Sequence, residues 1–268
     1  MNILEIIKKF LGLIDTGESN YLDITHIIVA SIITVITVFL GVYLGIKNRN
    51  KSEKDKTKLI LPFSIIMWVL LVLRFIMIVV RGYNFGENGF MNLIEGNLPL
   101  FLCDIQYFAL IAICFGKGEA KKIGLDFCLC LGLLSFAMGV WLNAGTFGNN
   151  PWWSSCYFYE MAVHAIPGGI SLYILASNLT SLKFKDIWKT LAVLLVFEII
   201  ALIFDYTIDS NYMFFKRDSG TPFFLFTDLA NGNQILYSFF VWLGMTSYVA
   251  LYYGIWELVI FISKKVKR

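Results

Sequence analysis

The chain has 268 residues, 58% of them hydrophobic and 15% charged, with a formal net charge of +3 and a mean hydropathy of +0.71. Soluble domains carry about 25% charged residues, so the composition excludes an ordinary soluble domain and marks a membrane protein. The small positive charge follows from basic residues clustered in loops and is no sign of a nucleic-acid partner.

In chain order, residues 1–23 read as an interfacial amphipathic segment. Ile3, Ile6, Ile7, Phe10, Leu11 and Ile14 share one helical face, with Glu5, Lys8, Lys9 and Asp15 on the other. Glu5 interrupts the segment and no small-residue cleavage site follows, which argues against a signal peptide. The rest of the chain, 24–268, holds seven apolar segments at about 24–46, 59–80, 98–115, 123–142, 158–179, 190–209 and 235–262. Each is long enough for a membrane-spanning helix, which needs roughly 17–25 residues. None alternates over about ten residues as a barrel strand would. The expected fold is an all-α polytopic bundle of seven transmembrane helices.

The basic residues then orient it. Loops 47–58, 116–122 and 180–189 and the tail "SKKVKR" hold sixteen Lys and Arg, against five on the opposite side. The positive-inside bias puts the N-terminus outside and the C-terminus in the cytoplasm of a multi-pass cell-membrane protein. Seven spans join those two ends consistently.

Five cysteines are present. Cys103, Cys114, Cys128 and Cys130 fall in spans and Cys156 in an outer loop. Cys128 and Cys130 point apart on a helix, and His26 and His164 are the only histidines, so neither a metal site nor a cofactor is expected.

Ionisable groups inside membrane helices are expensive and mark function by default. A proline-led start, Asn97 with Pro99, is expected to open the third helix. At about 1.5 Å rise per residue, Cys103 and Asp104 then lie roughly 8 Å inside the outer boundary. Glu160 and His164, near the outer start of the fifth span, are four residues apart and so share a face. Asp205 closes the sixth span and Arg74 sits toward the outer end of the second, placed to pair with Asp104 or Asp205. The third, fifth and sixth helices are expected to neighbour one another around an outer-leaflet pocket. Gln106 lies on another face and reads as a helix–helix hydrogen bond.

Taken alone, a buried cysteine is a small apolar packing residue. Beside a base it becomes a nucleophile. His164 is the histidine at matching depth, and Glu160 is placed to hold its tautomer and stabilise its cation, the nucleophile–base–orienter logic of acyl transfer. The loop "DSNYMFFKRDSGTPFFLFTDLANG" supplies Asn211, Tyr212 and Lys216 at head-group level and reads as a lid.

Three stretches, "LPLFLCDIQYF", "FYEMAVHAIPGGISLY" and "DYTIDSNYMFFKRDSGTPFFLFTDL", resemble in order and spacing the YwaF-like integral membrane family, over about residues 98–236. That family is remotely similar to animal membrane acyltransferases of ether phospholipids, where a cysteine and a histidine form the functional pair. By position those roles fall on Cys103 and His164. A further related family of lipid hydrolases uses a threonine with a histidine. The chain departs from the family at Phe101, where histidine is common, at Asp205, where asparagine is usual, and at "NGNQILY", which replaces a tryptophan-rich start of the last helix.

The expected function is a lipid acyltransferase or lipid acyl hydrolase acting on a membrane lipid substrate, with catalytic Cys103, His164 and Glu160. Arg74, Asp104, Asp205, Asn211, Tyr212 and Lys216 are the expected substrate contacts. The alternatives are a small-solute transporter, with Glu198 at mid-depth as its support, and a non-catalytic membrane binding protein. The sequence leaves the oligomeric state open.

Overall fold

In a computed structural model of the chain, residues 3–11, 21–84, 89–148, 150–219 and 221–266 are described. Eleven α-helices follow one another among these residues: α1 (Ile3–Phe10), α2 (Ile24–Asn48), α3 (Glu53–Asn84), α4 (Gly89–Gly96), α5 (Ile105–Phe115), α6 (Glu119–Trp141), α7 (Ala144–Phe147), α8 (Ser155–Ser177), α9 (Ile187–Thr207), α10 (Phe224–Ala230) and α11 (Gln234–Val266). Among the described residues there is no strand.

Among the described residues, five stretches are long and apolar enough to cross a membrane: 24–48, 53–83, 119–147, 184–207 and 234–265. The other two expected spans differ in kind. The fifth expected span is α8, 23 residues long, whose interior carries Glu160, His164 and Pro167. The third is shortened to the 11 residues of α5.

The shortening of α5 corrects the expected helix start at Leu98. Leu98 precedes Pro99, which disfavours helical backbone at Leu98. The chain instead turns through 98–104: the Leu100 amide donates to the Leu98 carbonyl (2.8 Å), and the Asp104 amide donates to the Phe101 carbonyl (2.9 Å). The Asp104 carboxylate also accepts from the Phe101 amide at 3.2 Å, a local turn that competes with helix. Cys103 therefore lies just before the helix.

α8 is the centre of the bundle, packed between α2 and α6. Glycines permit that closeness. A Cβ at Gly41 of α2 would lie 2.7 Å from the Gly169 carbonyl oxygen, and one at Gly132 of α6 would lie 2.9 Å from that of Pro167. Small residues that let backbones touch are the usual glue between membrane helices. Enclosed this way, the polar residues of α8 need no lipid contact. Its start is capped by the Ser154 hydroxyl, which accepts from the Tyr157 amide (3.2 Å). The start of α2 is capped by Asp23, which accepts from the His26 amide (2.7 Å).

The expected trio of neighbouring helices forms only in part: α5 touches α8 through Tyr107 and Tyr159 and α9 through Phe108 and Phe197, but neither is its main packing. α5 packs on α3 and α6, while α9 packs on α11, α6 and the turn at Tyr212–Phe214. α9 lacks the glycines that draw helices into the centre. It keeps Leu195, Val196, Ile199 and Ile203 exposed, a face suited to lipid.

Contacts between loops define two ends. At one, Lys56 donates to the Ser177 carbonyl (2.7 Å), Lys121 meets Glu53 (2.7 Å), Lys189 meets Glu119 (2.6 Å), and the Phe184 amide donates to Glu257 (2.7 Å). This end gathers the basic loops. The opposite end holds the Cys103 turn, α4, α7, α10 and loop 208–219. α1 exposes Ile3, Ile6, Ile7 and Phe10, and Lys9 pairs with Glu5 (3.6 Å) on its polar side. Ile14 and Asp15, assigned to the same surface helix, lie outside the described residues.

Candidate functional site

The site is built on α8. Glu160 and His164, one turn apart, meet as helix geometry requires, with His164 Nε2 3.4 Å from Glu160 Oε2. Three other elements converge on them. From α3, Arg74 Nη1 reaches Glu160 Oε1 at 3.2 Å. From the cap of α7, the Asn143 amide donates to Glu160 Oε2 at 3.3 Å. From α6, Ser135 Oγ sits 3.1 Å from His164 Nδ1.

Arg74 is itself braced. Its Nη2 donates to Asn97 Oδ1 (3.2 Å), and its guanidinium stacks 4.7 Å from the Tyr159 ring centroid, a cation–π contact. The Tyr159 hydroxyl pairs with that of Tyr107 on α5 at 2.8 Å, which ties α5 to α8. Glu160 is 6% exposed and His164 5% exposed, so this carboxylate has left water. Removing it from water costs several kcal/mol, offset here by a cation and two further polar partners.

Arg74 therefore pairs with Glu160, and the expected pairing with Asp104 or Asp205 is corrected. The reason is local. The Asp104 carboxylate is turned back onto the Phe101 amide. Asp205 Oδ1 accepts from Ser210 Oγ (2.8 Å) and from the Tyr212 amide (2.6 Å). Asp104 stays within the electrostatic field of Arg74, Glu160 and His164.

Cys103 is partly buried and free, and it feels the charges of Arg74 and Glu160. Among the described residues it makes no hydrogen bond to His164. Both ring nitrogens are occupied, Nε2 by Glu160 as expected and Nδ1 by Ser135. Gln106 is fully buried with neither amide atom partnered among the described residues, so the expected helix–helix hydrogen bond is absent.

Asn211, Tyr212 and Lys216 shape loop 208–219. Asn211 Oδ1 accepts from the Lys216 and Arg217 amides (3.0 and 2.9 Å). Lys216 pairs with Asp209, which holds that exposed carboxyl below the usual range. The Tyr212 hydroxyl donates to the Ile94 carbonyl (2.6 Å) and accepts from the Leu98 amide (3.0 Å), and its ring meets Phe101 at 5.4 Å. Through Tyr212 the loop is bolted to the segment that carries Cys103.

His26, the other histidine, serves packing. It is fully buried, bonds the Tyr157 hydroxyl (2.8 Å) and lies against Phe147. Ser135, Asn143, Asn97, Tyr107 and Tyr159 are site residues that sequence reasoning missed. The signal for Ser135 was present in "LLSFAMG", where Ser135 and Gly139 stand four apart on one face of α6. A Cβ at Gly139 would collide with the His164 ring, so these two small residues cradle the imidazole.

Long apolar helices enclosing a charged cluster define a polytopic integral membrane protein. The model of the TMEM164 family matches residues 21–262, and the chain belongs to that family. No curated protein and no solved structure matches it.

Proposed function

We propose that the protein is a membrane-embedded lipid acyltransferase or lipid acyl hydrolase, with His164 as general base and Cys103 and His164 as the pair from which the reading starts. The observation that carries it is the chain Arg74–Glu160–His164. A buried carboxylate, paired with a fixed guanidinium, is directed onto one nitrogen of an imidazole whose other nitrogen meets the Ser135 hydroxyl. That is the orienter–base half of acyl-transfer chemistry. Cys103 stands in the same field and supplies a thiol at the same end of the bundle. The resemblance to the YwaF-like family and its remote acyltransferase relatives points the same way.

In this reading the N-terminus is outside and the C-terminus cytoplasmic, and the site opens to the outer leaflet of the cell membrane. Asp104 and Lys216 meet the lipid head group, and loop 208–219 acts as the lid. A transporter would place its ionisable groups near the midplane on broken, repeated helices. Here the cluster sits toward one end.

The test uses the full chain in vesicles containing a phospholipid with an isotope-labelled acyl chain. Appearance of free labelled fatty acid, or its transfer to added lysophospholipid, is expected, with loss in His164→Ala and Glu160→Gln. Wild-type protein that neither releases nor transfers the label across diacyl and ether phospholipids would sink the acyl reading.

A further inference from the structure

The turn that carries Cys103 holds donors that the fold does not use. The Asp104 amide donates to the Phe101 carbonyl (2.9 Å), that of Gln106 to Cys103 (3.2 Å) and that of Tyr107 to Asp104 (3.0 Å), a run of three-residue steps with 3₁₀ geometry. Side chains three apart eclipse one another in such a run, so Gln106 stands on the side of Cys103 and not on another face as the sequence implies. Its side chain is fully buried, and neither Nε2 nor Oε1 has a partner among the described residues. Leaving a buried amide unpaired costs stability, and a group of this kind calls for a role other than packing. The main chain shows the same surplus. The Leu100, Phe101, Asp104 and Ile105 amides are bonded within the segment and that of Leu98 to Tyr212. Among the described residues the Cys103 N–H reaches no acceptor in another residue.

We infer that the Cys103 N–H and the Gln106 side-chain amide form the oxyanion site for a lipid ester attacked by Cys103. The inference rests on the acyl-transfer reading, keeps Cys103 and His164 in their roles there, and adds the groups that meet the charge as it develops. His164 takes the thiol proton while Sγ adds to the ester carbonyl carbon, and the carbonyl π electrons move onto its oxygen. An N–H on the nucleophilic residue itself lies beside an oxyanion formed on its sulfur, and Gln106 Nε2 donates from the next position on the same side. The adduct collapses, the C=O bond re-forms, the lipid oxygen leaves with the proton from His164, and the acyl chain stays on Cys103 as a thioester. Water or a lysolipid hydroxyl then attacks the thioester and gives its proton to His164, and the same donors hold the second oxyanion. The sulfur leaves with that proton, which yields fatty acid or a new acyl lipid. The Asp104 carboxylate on the Phe101 amide and the Tyr212 hydroxyl on the Leu98 amide fix the turn, so the donors need no reorganisation during the step.

The experiment compares the full wild-type chain with Gln106→Met, which keeps the length of the side chain and removes its amide, in vesicles containing the labelled phospholipid. The variant's kcat is expected to fall about 100- to 1,000-fold with KM unchanged, as loss of one oxyanion donor does. Its thermal unfolding midpoint is expected at or above that of wild type, because an unpaired buried amide is gone. Alkylation of Cys103 by iodoacetamide, located by peptide mass spectrometry, is expected to keep its wild-type rate, since attack on a saturated carbon makes no oxyanion. With the wild type turning over, a variant kcat within about tenfold of it overturns this inference alone. So does a lowered midpoint or a failure to fold, which would make Gln106 structural, and so does alkylation slowed in step with turnover, which would make it act on the thiol. Absence of acyl turnover by the wild type overturns the inference together with the acyl reading.

Discussion

Gly139→Ala is the sharpest single test of how the site is held. The added methyl would lie against Cγ, Nδ1 and Cδ2 of His164, far inside the about 3.5 Å of a carbon contact. The ring must therefore withdraw from α6 by more than about 1 Å. Hydrogen bonds fail beyond about 3.5 Å, and Ser135 and Glu160 start at 3.1 and 3.4 Å from the ring, so at least one bond is lost. Misplacing a reacting group by about 1 Å costs on the order of 100-fold, and overpacking of this kind costs about 1–3 kcal/mol of stability. Gly254→Ala is the control, since a Cβ there meets nothing within 4 Å. The assay is turnover of a labelled phospholipid in vesicles, beside thermal unfolding in detergent. Gly139→Ala is expected to fall at least 100-fold in turnover while Gly254→Ala matches wild type. If Gly139→Ala kept full turnover and wild-type melting, the cradle argument would be refuted.

Glu160→Gln leaves Arg74 facing a neutral partner, and breaking a buried pair costs about 3–5 kcal/mol. Arg74 is partly exposed, so the lower end is expected in thermal unfolding, and adding Arg74→Met should recover part of it. Equal melting of Glu160→Gln and wild type would show that the pair contributes little. Tyr212→Phe removes the hydroxyl that joins the loop to Ile94 and Leu98, a loss of about 1–3 kcal/mol. Faster hydrogen exchange of the Leu98 amide is the expected readout, and unchanged exchange would contradict the bolt. Asp209 is held low by Lys216, so its contribution to loop order is present above the ordinary carboxylate pKa and lost as pH falls through the depressed value. Exchange in 208–219 should therefore rise only in strongly acidic buffer and be fast at neutral pH in Asp209→Asn; a rise centred at or above the ordinary carboxylate range would refute the pairing. Thiols engineered into 47–58 are expected to resist a membrane-impermeant reagent on intact cells, and their labelling would reverse the orientation.

What the sequence determined by itself is what depends on near neighbours in the chain. Apolar length and composition show that this is a helical membrane protein. The Glu160–His164 contact follows from 3.6 residues per turn, whatever surrounds α8. Ser154 and Asp23 cap helices within three residues of themselves. The start of α5 was misread despite being local, because the Asn97–Pro99 cap signal competed with a turn that the Asp104 side chain stabilises. What only the tertiary structure decided is which groups meet across the bundle. Arg74 was expected to meet Asp104 or Asp205, and helix packing chose Glu160 instead. Ser135 and Asn143 are short polar residues with no pattern of their own. They became partners of His164 and Glu160 because glycines on α2 and α6 draw α8 into the centre. The position of small residues on separate helices sets that approach, and one-dimensional periodicity does not encode which glycine faces which helix.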